Sequence, residues 1–344
     1  ARSSLSVELP TTESMRFMSD HGQGGNPRRS RSTTIVASSL VLVTGYVFFV
    51  ATLRSPRFAG DTVAMTQSAQ SLVECARHGQ FMGCAGANQY GVLQNIPAIF
   101  MAWKGLSLES IVSVLGFMNL MAFLGLVVLV WRNLGRSIRG LGVLALLAGP
   151  LIGYVSLSFG EMLQTLVFVG FVIAVARKRW GWILLTGVLA ASTRETAFLP
   201  MALIAFGVIW VTTTDDARKR KLSLLFSGAG IAGGVALITV FNYWKFGTWK
   251  NLGNLNSAYV TPGIGRKLDS FIAIWFAPGG GVAPFWLIGA VLSLGVLVTF
   301  IILGTRAQRI GSLAIGAGLG ASTASLAAWF APFGWVAWGP RLMM

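Results

Sequence analysis

Residues 108–139 read LESIVSVLGFMNLMAFLGLVVLVWRNLGRSIR. The first 24 positions hold one ionisable group, Glu109, and the next eight hold Arg132, Arg136 and Arg139. About 20 apolar residues rising about 1.5 Å each cross a bilayer's hydrocarbon core, so 108–131 is long enough to span. The basic cluster behind it marks the end expected to stay in the cytoplasm.

The whole chain has the same character. Of its 344 residues 54% are hydrophobic and 11% charged, and mean hydropathy is +0.68. A soluble domain carries about 25% charged residues, so a soluble or disordered chain is excluded. Eight further runs are expected to span: 33–53, 141–159, 160–176, 180–196, 197–214, 222–241, 282–303 and 310–330. The expected architecture is therefore an all-α polytopic membrane protein with about nine transmembrane helices. Residues 1–32 are polar, carry five arginines and read as a disordered basic cytoplasmic tail; the membrane domain takes up 33–344.

Charge sets the orientation. With the tail in the cytoplasm, alternation puts Arg132, Arg136 and Arg139, then 177–179, 218–221, and Arg306 with Arg309 in short inner loops. These loops hold twelve basic residues, against ten in much longer outer segments. The net charge of +16 is then an orientation signal, and no nucleic-acid partner is expected. Asp61, Glu74, Glu109, Glu161, Glu195 and Asp269 all fall at or beyond the outer face, with the long loops 54–107 and 242–281.

The first outer loop has internal order. Met65, Ala69, Leu72 and Ala76 recur at helical spacing, as do Val92, Leu93, Ile96, Ile99, Phe100 and Trp103. Two amphipathic helices on the outer membrane surface fit that pattern. Cys75 and Cys84 lie between the stripes, and a disulfide is expected on an oxidising side; the alternative is two unpaired buried cysteines.

Gly228, Gly230 and Gly233 match G-x-G-x-x-G inside a span, where close helix packing rather than a dinucleotide explains them; Gly316 and Gly320 read the same way. Asp61 is either a helix N-cap or a general base at the membrane surface. Glu161 opens a span, where it suits the helix dipole or a polar cavity. Ser192 and Glu195 fit a capping box, while Arg194 and Glu195 lie at cavity depth. Arg341 belongs either to an aromatic belt with Trp329, Trp335 and Trp338 or to a phosphate clamp.

These features, in this order, resemble the GT-C superfamily of membrane glycosyltransferases. Gly60-Asp61 resembles the acidic motif after its first span, and Ser158-Phe159-Gly160-Glu161 the acid opening a middle span. Thr193-Arg194-Glu195 is similar to a T-R-E turn, and Phe241 to Gly247 to an N-x-x-x-F-G segment. Ala277-Pro278-Gly279-Gly280-Gly281 resembles a Ser-Pro-Gly-x-Gly turn with Ala277 in place of Ser, and Trp338-Gly339-Pro340-Arg341 resembles the family's W-G-P-R. In that family further spans follow W-G-P-R, so the chain is expected to be incomplete at its C-terminus.

The resemblance implies transfer of a sugar from a polyprenyl-phosphate donor to a glycan, lipid or protein acceptor, with inversion. It implies Asp61 as general base, Arg341 with Arg194 on the donor phosphate, and Glu161 and Glu195 orienting these groups or binding sugar hydroxyls. No cofactor is obligatory on this reading, although a divalent cation is compatible. It places the protein in the plasma (inner) membrane, among membrane lipids, with its N-terminus cytoplasmic and its active site extracytoplasmic, in glycan biosynthesis of the cell envelope. The competing class is a transporter or flippase of a lipid-linked substrate, against which no inverted repeat or mid-span charge is found.

Overall fold

A run of apolar residues becomes a helix in lipid because every backbone amide must find a partner inside its own segment. The computed structural model describes residues 60–84, 91–136, 139–147, 155, 161–213, 216–251, 263–277 and 282–328. All of them belong to one compact unit, Phe48–Met344. The tail, the expected span 33–53 and Arg341 lie outside the described residues. Among the described residues there is no strand. The helices are α1 (Gly60–Arg77), α2 (Val92–Trp103), α3 (Leu108–Asn133), α4 (Arg139–Leu147), α5 (Glu161–Ala176) and α6 (Trp180–Ala191). A 3-10 turn, Glu195–Ala197, leads into α7 (Phe198–Thr212). Then come α8 (Ala217–Phe246), α9 (Ile264–Phe276), the single turn α10 (Val282–Phe285), α11 (Leu287–Leu303) and α12 (Arg306–Ala327).

Among the described residues four helical segments are long and apolar enough to cross a membrane: Leu108–Asn133, Glu195–Thr212, Ala217–Phe246 and Arg306–Ala327. Met162–Ala176, Trp180–Ala191 and Gly289–Leu303 are apolar but shorter. At 12 residues α6 covers roughly 18 Å of a hydrocarbon core of about 30 Å, so among the described residues four of the expected spans have the length and composition to cross. Of the expected run 141–159, the described part includes the end of the nine-residue α4. The expected outer loop 242–281 contains a 13-residue helix, α9, that the sequence reading did not anticipate.

The ends of the helices show why they start where they do. Asp216 caps α8, its carboxylate accepting the Lys219 amide at 2.9 Å and pairing with its ammonium at 3.0 Å. The Lys219 amide, above all, holds the Asp216 carboxyl below its usual range. Thr305 and Gln308 form a reciprocal capping box at α12, and Ser107 caps α3. The four basic clusters flank the turns after α3, α5, α7 and α11, those at 218–221 and at Arg306 with Arg309 in the first turns of α8 and α12, and alternation of the helices gathers these turns at one end of the bundle.

Glycines set the closest approaches. A methyl group built on Gly207 would meet the Gly311 carbonyl oxygen at 2.6 Å, and one on Gly318 the Pro200 carbonyl oxygen at 3.1 Å, so α7 and α12 pack antiparallel backbone to backbone. Gly316 and Gly320 face open space instead. Seven residues make two helical turns, so Gly311 and Gly318 share a face and the expected pair lies opposite. Of the G-x-G-x-x-G residues, Gly230 touches Gly187 of α6, Gly233 faces a Val188 methyl, and Gly228 touches nothing. The tightest point between α6 and α8 is Gly234, where an added methyl would lie 2.5 Å from the Val188 carbonyl oxygen and 2.6 Å from the Ala191 methyl.

That contrast is testable by thermal unfolding in lipid nanodiscs. Gly234→Ala should destabilise by roughly 1–3 kcal/mol, because the intruding methyl meets backbone that cannot move aside. Gly228→Ala should leave stability unchanged or raise it by up to about 1 kcal/mol. Equal effects at the two positions would refute the α6–α8 packing.

Candidate functional site at the end opposite the basic turns

The first loop folds onto the bundle through small and apolar side chains. Met65, Ala69 and Val73 of α1 pack with Ala98, Met101 and Ala102 of α2 and with Ile111 and Leu115 of α3. The expected α1 stripe is thus buried through Leu72. On α2 the expected stripe divides. Val92 is buried, whereas Ile96, Phe100 and Trp103 are exposed. The alanines allow the closer approach, so they take the inner face and leave the bulky side chains outside. Arg77 donates to the Trp103 carbonyl at 3.0 Å and lies over the Trp103 ring.

Cys75, near the end of α1, is bonded to Cys84, with Cα atoms 5.7 Å apart. This holds Cys84 where its backbone N–H donates to the Trp244 carbonyl of α8 at 3.3 Å. Leu72, Cys84 and Val92 form an apolar contact with Ile238 and Phe241. The Val92 N–H donates to the Ser192 carbonyl at 2.9 Å, and Gly91 lies so near Thr193 that a methyl there would be 2.2 Å from its carbonyl oxygen. The first loop is therefore pinned to the turn after α6 and to the end of α8.

At that junction the apolar bundle holds a polar cluster. Glu195 Oε1 accepts two hydrogen bonds of 2.9 Å, from Asn242 Nδ2 of α8 and from Asn251 Nδ2 beyond it. Gly247 closes α8 in the left-handed conformation, φ 66°, which a residue without Cβ adopts at least cost. Tyr243 stacks on Trp249 at 4.6 Å, and the returning chain delivers Asn251 to the carboxylate. Lys245, one turn after Asn242, is fully buried. Its ammonium lies 4.8 Å from the Phe241 ring and 4.9 Å from the Phe246 ring, and within electrostatic reach of Glu195. Asn242 Oδ1 is buried with no hydrogen-bond partner among the described residues, and so remains available to a donor.

The cluster alters the reading of several residues. Ser192 does not form a capping box with Glu195: it is buried, and its hydroxyl donates back to the Leu189 carbonyl at 2.9 Å. The residue before the 3-10 turn is Arg194, in extended conformation and half-buried, with no side-chain cap. Asp61 is the second residue of α1, inside the helix rather than at its N-cap, and Glu161 is the first residue of α5. Lys245 and Asn251 were not singled out from sequence. An ionisable residue at the end of an apolar span was the available signal for Lys245. Asn251 had none, since only the reversal at Gly247 brings it near Glu195. Among the described residues no group of three or more His, Cys, Asp or Glu could hold a metal ion.

No protein-family model matches the chain, and no curated protein or solved structure is significantly similar to it.

Lys245 is buried and Glu195 is half-buried within its electrostatic reach, so removing the ammonium leaves the carboxylate less well matched. Lys245→Met should therefore destabilise the protein in nanodiscs. Adding Glu195→Gln to Lys245→Met should recover a substantial part of the loss, because the orphaned charge goes too. Strictly additive losses would show that the two charges are not coupled.

Proposed function

We propose that the chain is a GT-C-type membrane glycosyltransferase that moves a sugar from a polyprenyl-phosphate donor to an extracytoplasmic glycan, lipid or protein acceptor. One observation supports this reading above the rest. The Asn242–Glu195 hydrogen bond joins two segments, 193–195 and 241–247, whose resemblance to the family was noted separately. The loop opening at Gly60-Asp61 is pinned over that junction.

In this reading the acceptor hydroxyl attacks the anomeric carbon from the face opposite the phosphate. The carbon–oxygen bond to phosphate breaks, the hydroxyl proton passes to Asp61, and polyprenyl phosphate leaves. Arg341 and Arg194 stabilise the charge on that phosphate, since guanidinium offers it paired hydrogen bonds. Glu161 orients the reacting groups. Glu195, already taken up by Asn242 and Asn251, holds the Arg194 turn. No step requires a metal. The basic turns lie in the cytoplasm and the polar cluster outside the plasma membrane.

The test is incubation of the full-length protein with a labelled polyprenyl-phosphate sugar. Transfer or donor hydrolysis supports the enzyme; translocation without bond cleavage supports the flippase. Asp61→Asn should cost 100- to 10,000-fold in turnover, roughly 3–5 kcal/mol of barrier, while folding survives. Near-normal turnover would shift the search for the base to Glu161. Arg341→Lys should raise KM more than it lowers kcat, because charge is kept and the fork is lost.

The orientation has its own check. With Cys75 and Cys84 replaced by serine, Gln67→Cys should react with a membrane-impermeant thiol reagent added to intact cells. Labelling from the cytoplasmic side alone would overturn the topology and every role resting on it.

A further inference from the structure

We propose that α9 lies in the plane of the membrane, at the interface of the leaflet next to the Glu195 cluster, with one side immersed in lipid. The inference is independent of the glycosyltransferase reading. It rests on the three different sides of this helix.

The first side meets protein. Ile274 is fully buried against Leu326 and Ala327 in the last turn of α12, and Trp275 Nε1 donates to Thr323 Oγ1 at 3.2 Å. This docking holds α9 at the end of a membrane-spanning helix, the end away from Arg306 and Arg309. The second side carries Arg266 and Asp269, both exposed and suited to water or headgroups. The third side is a continuous stripe, Ile264, Leu268, Ile272 and Phe276, which are 75, 57, 59 and 62% exposed. Steps of four residues drift slowly around a helix, so the stripe covers an arc of roughly 120° along nearly the full helix.

The occupant of that stripe follows from its surroundings. Water would leave four large apolar side chains in contact with solvent beside a bundle that already lies in lipid. A transmembrane course is excluded by length, since 13 residues cover roughly 20 Å. Arg266, Lys267 and Asp269 would also enter the hydrocarbon on such a course. Helix α11 packs on α12 as α9 does, and its Leu287, Val291, Leu292 and Val298 are likewise exposed. Lipid acyl chains that cover α11 thus have α9 beside them on the same helix. An amphipathic helix with a wide apolar arc and charged residues opposite is the form that settles at the headgroup–acyl boundary.

The test uses the full chain in nanodiscs of phosphatidylcholine and phosphatidylglycerol. Cys75 and Cys84 are bonded to each other and take no thiol label. Nitroxides at Leu268→Cys, Ile272→Cys and Arg266→Cys report depth, with two stripe positions guarding against one variant that fails to fold. Relaxation by oxygen should exceed relaxation by a water-soluble nickel complex at 268 and 272, and the order should reverse at 266. Nickel access at 268 and 272 would place the stripe in water and overturn the proposal. Exclusion of both relaxants at 268 and 272 would show a protein partner or second copy covering the stripe, and would overturn it equally.

Discussion

A carboxylate at the edge of a low-dielectric bundle must be matched on the spot, and Glu195 is the group on which this requirement falls. Two amide donors converge on one of its oxygens, and the Lys245 ammonium lies within its field. The contacts come from both sides of the α8 terminus: Asn242 and Lys245 from its last two turns, Asn251 from the segment past Gly247. Matching Glu195 therefore fixes three things together: the turn that carries Arg194, the end of α8 and the return of the chain behind it. Moving any one leaves a charge or an amide less well matched.

The backbone contact of α6 with α8 makes this possible. With Gly230 against Gly187 and Gly234 against Val188, the two helices run side by side in the same direction, so the turn after α6 and the end of α8 emerge as neighbours. A bulkier residue at either crossing would separate them by more than a hydrogen bond spans. Small residues inside the membrane thus act on a polar site several turns away, through rigid helix geometry rather than direct contact.

How much was legible in the sequence follows the same division. The apolar runs gave an all-helical membrane chain, and period-3.6 patterning located α1 with its buried side correctly. The pattern failed where packing chose between two apolar faces. On α2 the alanines took the inner face and the aromatic residues the outer, a choice that hydrophobicity alone does not make. Gly316 and Gly320 had the right spacing, but Gly311 and Gly318 held the face turned to α7. Helix α9 lies inside the long outer loop 242–281, where Arg266, Lys267 and Asp269 interrupt the period of Ile264, Leu268, Ile272 and Phe276. Within the site, Glu195 and Asn242 were visible as members of separate motifs. Their bond, 47 residues apart in sequence, needed the fold.

The disulfide extends the constraint to the first loop. Cys75 closes the helix that begins at Gly60, and its partner Cys84 hands a backbone N–H to Trp244, one residue before Lys245. On the other side Val92 hands its N–H to Ser192, three residues before Glu195. The loop thus grips the polar cluster from both chain directions, using backbone donors that, of all substitutions, only proline removes. Reducing the disulfide frees the first grip and leaves the second. The expected consequence is a loosened α1 over an intact Glu195 cluster, because the Asn242 and Asn251 bonds do not depend on the sulfur bridge. The body of α1 stays on α2 and α3 through Met65, Ala69 and Val73, so reduction loosens the end of the helix at Cys75 and leaves the packed part in place.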